Sequence, residues 1–139
     1  LRKGVKNMSP FSLTINGLGG FPSLQRPRLL WVGVSGEVEP LQVLVSSVES
    51  TLRPLGFTQE GKPFHPHLTL SRIKSHSREI GKFLETSDLC RKEWRFGELT
   101  VDRLCLFQSQ LSAKRAKYSL LWSLPFNGNT STLIDKKRA

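Results

Sequence analysis

Residues 64–72 read Phe64-His65-Pro66-His67-Leu68-Thr69-Leu70-Ser71-Arg72. From His67 onward apolar and polar residues alternate, and in an extended chain successive side chains point to opposite faces. The stretch therefore reads as a half-buried strand, with Leu68 and Leu70 on one side and His67, Thr69 and Ser71 on the other. His67 and Thr69 project together, an imidazole beside a hydroxyl. Imidazole has an ordinary pKa of about 6.5, suited to proton transfer near neutrality. A threonine hydroxyl can donate to a phosphoryl oxygen. Arg72 adds a permanent charge and a forked donor set, either across the pleat or at the strand end. Such a set suits phosphoester hydrolysis by proton transfer and oxyanion stabilisation, with no metal and no cofactor required.

Outward from this strand the chain alternates between two periods. Upstream, Leu41, Leu44, Val45, Val48, Leu52 and Leu55 lie on one face of a helix predicted over 39–55. Pro54 and Gly56 stop it, and a polar loop covers 57–66. Farther upstream, Phe11, Leu13 and Ile15 alternate with polar residues over a strand at 11–18. Gly17, Gly19, Gly20 and Pro22 read as a turn, and the apolar run Leu29-Leu30-Trp31-Val32-Gly33-Val34 as a central strand over 28–35. Downstream, Ile80, Phe83 and Leu84 mark a second helix over 77–88, with His76 at its start. Residues 94–111 read as one long strand or a bulged pair, 114–117 as a basic turn and 118–126 as a closing strand. Trp31 and Trp94 read as core aromatics, and Phe64, beside the motif, as the better stacking platform. Strands and helices in this order imply an α+β fold with mostly antiparallel pairing.

The chain has 139 residues and a net charge of +10, from 21 Lys and Arg against 11 Asp and Glu. One domain over 1–126 is expected, with 127–139 a polar and disordered tail. The charge favours a polyanionic partner. The basic clusters Arg26/Arg28, Arg91/Lys92/Arg95 and Lys114/Arg115/Lys117 are solvated surface unless they rim one groove. Cys90 and Cys105 lack any paired spacing, which argues against a zinc site or disulfide framework and for reduced, cytoplasmic thiols. No apolar run approaches the roughly 18–20 residues of a membrane span.

The segment Pro66-His67-Leu68-Thr69-Leu70-Ser71-Arg72 resembles the second His-x-Thr-x motif of the 2H phosphoesterase superfamily. The nearer likeness is to its LigT/ThpR branch, the RNA 2',3'-cyclic phosphodiesterases once described as 2'-5' RNA ligases. Three further segments agree in order: Gly17-Leu18-Gly19-Gly20-Phe21-Pro22-Ser23 with Arg26-Pro27-Arg28-Leu29-Leu30-Trp31, then Pro54-Leu55-Gly56-Phe57, then residues 101–109. The resemblance implies a bilobal α+β fold, two antiparallel sheets flanked by helices around a central groove. It also implies hydrolysis of RNA 2',3'-cyclic phosphate ends to 2'-phosphates, with 2'-5' ligation as a second activity. His67 matches the histidine usually assigned as general base and Thr69 the phosphate anchor. Arg72, Phe64 and His65 fall where substrate would be bound. The expected partner is such an RNA end, or a small cyclic nucleotide, met by a monomer.

The family's first His-x-Thr, source of the general acid, has no counterpart here. The chain's three histidines are His65, His67 and His76, and His65 lies on the same segment as His67. Because the chain opens on Leu1, the expectation is a sequence truncated at its N-terminus, without the first strand and helix. The alternative is a non-catalytic RNA-binding module of the same fold.

Overall fold

The computed structural model describes residues 5, 7–58, 61–112 and 115–127. The 127–139 tail expectation, and Lys114 of the basic turn, lie outside the described residues save for Asn127. Among them the chain forms β1 (Phe11–Phe21), β2 (Leu29–Gly36), α1 (Val38–Leu52), β3 (His67–Arg72), α2 (Ser77–Thr86), β4 (Arg95–Val101), β5 (Arg103–Leu111) and β6 (Ala116–Pro125). The fold is α+β. A four-stranded antiparallel sheet runs in the order β3-β2-β1-β4, and β5 and β6 form a separate two-stranded sheet.

One face of the larger sheet is apolar because the strands alternate as their sequences dictate. Phe11 and Leu13 of β1 are buried and meet Leu44 of α1, with Val34, Leu41 and Val48 packed around them. Leu124 and Phe126 at the end of β6 join this core, and Phe126 stacks on Phe11 at 6.1 Å and 16°. Burying a side chain of this size stabilises the fold by roughly 1.5–3 kcal/mol. Glu37 ties the start of α1 to β1: its Oε2 accepts from the Ser12 N–H at 2.6 Å, and its own N–H donates to the Ser12 carbonyl at 3.1 Å.

Several elements differ from the sequence reading. The predicted glycine turn is strand: β1 runs through to Phe21, and Gly17, at φ +67, sits in a bulge where the pairing with β2 shifts between Asn16 and Leu18. A bulge and a turn can both place a glycine at positive φ, so glycines alone do not separate them. The long strand at 94–111 breaks after Val101, where β4 stays with β1 and β5 leaves to pair with β6. The α1 face also ends early. Residues Arg53–Leu55 tighten into a 3-10 turn closed by Gly56 at φ +87, which leaves Leu55 69% exposed. In α2, Leu84 is buried and Phe83 faces out. Gly81 lies so close to the 24–25 backbone that a Cβ would fall 2.1 Å from the Gln25 carbonyl oxygen.

Candidate functional site

The site stands on the polar face of the larger sheet. Directly paired residues of antiparallel strands share a face. Gly33 pairs with His67, Trp31 with Thr69 and Leu29 with Arg72. Gly33, Trp31 and Leu29 alternate regularly along β2, so their three partners all stand on one side. Regular alternation in β3 would have sent Arg72 to the opposite face. The pairing slips between Leu30 and Trp31, and the extra residue, Leu70, turns the guanidinium back to the side of His67 and Thr69. Ser71, expected beside His67, pairs with Leu30 and belongs to the other face.

His67 is half-buried, and its Nδ1 lies 2.6 Å from the His65 carbonyl oxygen. A carbonyl only accepts, so Nδ1 carries the proton and donates it. In the neutral ring Nε2 is then the free lone pair, the atom able to take a proton from water. The imidazole is also walled by aromatics. Phe21 meets it at 5.2 Å and 85°, and Trp31 at 6.3 Å, while Phe21 and Trp31 lie 5.3 Å apart. The His65 ring reaches the same two residues at 5.9 and 6.3 Å.

A hollow of about 1190 Å³ is lined by Phe64, His65, His67 and Arg72 together with Phe21 and Arg28. It wraps the edge of β3, so Leu41, Leu68 and Leu99 supply an apolar wall. Arg28, Lys62 and Arg72 give the lining three cations against one carboxylate, Glu49. Four of the five expected site residues thus meet at one cavity. Thr69 stands exposed on the same face beside it, outside the lining. His76 is elsewhere, preceding α2 with φ +58 and its Nδ1 3.0 Å from Ser75 Oγ.

Two residues here are not visible as site residues in the sequence, and a third, Arg28, reads there only as part of a basic cluster. Trp31 is a wall of the site, not core. Arg28 lines the cavity, its N–H on the Phe21 carbonyl at 2.7 Å and its carbonyl accepting from Ile73 at 2.9 Å. Phe21 reaches the site because the Gly17 bulge reverses the parity of β1, so that Phe21 pairs with Leu29 on the polar face. Trp94 anchors a surface loop: its Nε1 donates to the Leu89 carbonyl at 2.8 Å, and Lys92 sits 4.7 Å over its ring. No group of three His, Cys, Asp or Glu side chains gathers among the described residues, and no helix there is long and apolar enough to cross a membrane.

Residues 1–112 match the 2'-5' RNA ligase superfamily. The chain belongs to that family. Similar proteins include the RNA 2',3'-cyclic phosphodiesterase of Aeropyrum pernix, 35% identical over 116 residues, covering 82% of this chain and 64% of that protein. The protein of the same name from Aquifex aeolicus is 34% identical over 124 residues, 87% of this chain and 63% of that one. That of Archaeoglobus fulgidus is 38% identical over 111 residues, 78% of this chain and 58% of that one. The crystal structure of a Thermus thermophilus protein superposes with a TM-score of 0.63 at 25% identity, covering 89% of this chain and 64% of that one. The chain spans less than two-thirds of the length of each of these relatives.

Proposed function

We propose that the chain supplies half of the active site of an RNA 2',3'-cyclic phosphodiesterase, the name its relatives carry. The observation that carries this reading is the joint placement of His67, Thr69 and Arg72 on one face, with Nδ1 of His67 committed to a carbonyl. His67 Nε2 takes a proton from water as the oxygen attacks phosphorus. The P–O3' bond breaks, the 3' oxygen leaves with a proton, and the product is a 2'-phosphate beside a 3' hydroxyl. Thr69 donates to a phosphoryl oxygen, and Arg72 offsets the charge that accumulates on phosphorus. Phe64 and His65 hold the terminal nucleoside. The proton for the 3' oxygen belongs, by resemblance, to a second His-x-Thr, which His65 and His76 do not form. A single domain over 1–126, acting as a cytoplasmic monomer without a metal, completes the reading.

The test is an RNA oligonucleotide ending in a 2',3'-cyclic phosphate, presented to the complete gene product with and without EDTA. Turnover to a 2'-phosphate unaffected by EDTA, and lost by at least about a hundredfold in His67→Ala, is the expected result. Metal-dependent turnover, or full activity in His67→Ala, overturns it. Tight binding of the RNA without turnover would identify the non-catalytic module instead.

A further inference from the structure

The His67 imidazole is held by more than its hydrogen bond. The Trp31 ring lies over Gly19: a Cβ built there would fall 2.1 Å from Cζ2 of the indole, 2.4 Å from Cη2 and 2.5 Å from Cε2. Gly19 is itself buried and is the direct pairing partner of Trp31. Any larger side chain would lift the indole off the sheet. Phe21, two residues on and on the same face, packs at 5.3 Å against the seated indole. The pair then touches both ends of the His65-Pro66-His67 segment, the imidazole that works and the ring of the residue whose carbonyl orients it. His65 and Pro66 precede β3, and two residues of such backbone alone do not fix the distance between a side chain and a carbonyl two positions earlier. Packing of His65 and His67 against one rigid surface does.

We infer that Phe21 and Trp31, seated on Gly19, are positioning residues that hold His67 Nδ1–H on the His65 carbonyl and so present Nε2 to the substrate. They act through the imidazole, not on the RNA. The rate arm of the test below rests on the phosphodiesterase reading, whereas the spectroscopic arm needs no substrate.

The first arm is a long-range proton–nitrogen correlation spectrum of the chain, in which His67 in its neutral form is expected to be protonated at Nδ1. Phe21→Leu should convert it to a mixture of both tautomers, and Phe21→Tyr should restore the native pattern. The second arm is steady-state kinetics of the complete gene product on the cyclic-phosphate RNA. Phe21→Leu should lower kcat about tenfold or more, part of the contribution a well-placed general base makes, and leave KM within about twofold. Trp31→Phe, which keeps a flat ring over Gly19, should fall between the two. An unchanged His67 tautomer in a folded Phe21→Leu protein overturns the inference. So does a rise in KM with kcat intact, which would make the rings a binding surface. Loss of activity in the native protein together with a native tautomer would overturn the phosphodiesterase reading and leave this inference standing.

Discussion

At the scale of single residues, the proposed chemistry rests on which way three side chains point. Thr69 is the plainest case. Replacing it by valine keeps the β-branched shape on β3 and removes one hydroxyl, so the strand should be undisturbed. A hydrogen bond to a charged phosphoryl group is worth about 1.5–3 kcal/mol, so Thr69→Val should lower kcat/KM roughly ten- to a hundredfold with little change in Tm. Cys90 offers a measurement away from the site. Its partial burial pushes the thiol pKa above the ordinary value. The folded state thus favours the thiol, a stabilisation present below the unfolded pKa and lost as pH rises through the folded one. In a Cys105→Ser background, alkylation of Cys90 by iodoacetamide near pH 8 should be several-fold slower in the folded chain than in urea. Equal rates would refute the protected setting.

At the scale of elements, close approaches of backbone set the limits. Gly81 lets α2 settle on the 24–25 backbone, where a Cβ would meet a carbonyl oxygen that cannot move aside. Gly81→Ala, favourable by helix propensity by about 1 kcal/mol, should instead destabilise the fold by about 1–3 kcal/mol as an overpacked contact. A urea titration gives the sign directly. The same elements show what sequence can carry. Alternation in Phe11 and Leu13 and the helical spacing of Leu41, Leu44 and Val48 are burial patterns, and the core uses them as read, while Ile15 stays outside the core cluster. His67 and Thr69 are legible as a pair because strand parity over two residues leaves no choice. Arg72 is not, since a single inserted residue reverses parity and leaves no mark in composition. Phe21 is hidden in the same way by the bulge at Gly17. The break at Asp102 is hidden because the apolar residues on either side continue one pattern while the strands pair with different partners. Trp31 reads as core because an apolar run predicts burial, not which face of the sheet an aromatic ring will cover.

At the scale of the whole molecule, charge and exposed apolar surface divide the labour. A net charge of +10 predicts RNA binding that weakens as salt rises, with a slope set by the number of phosphates neutralised, about 0.7 per contact on single strands. Arg28→Gln and Arg72→Gln should each reduce the slope of log affinity against log salt by about that amount. Arg103→Gln should not: that guanidinium is paired with Asp102 at 2.8 Å and is not among the residues that line the cavity. Fluorescence anisotropy of a short labelled RNA across a salt series measures all three. The apolar side predicts a different observable. Leu70 is 59% exposed, and Phe96 and Leu99 about half. Surface of this kind on the described residues should bind a hydrophobic dye such as ANS at native pH, with an intact near-ultraviolet dichroism spectrum distinguishing it from a loosened core.

The slip in β3 also bears on how related chains are read. A motif written as His-x-Thr-x-x-Arg carries its arginine three positions after the threonine, an odd separation that plain alternation assigns to the back of the sheet. Leu70 makes that odd step count as even. In a strand without the extra residue, the position that shares a face with the histidine and threonine is the one two residues after the threonine. A letter-by-letter alignment would then credit the wrong residue with the charge. The register of the neighbouring strand, more than the spelling of the motif, decides which side chain joins His67 and Thr69 on their face of the sheet.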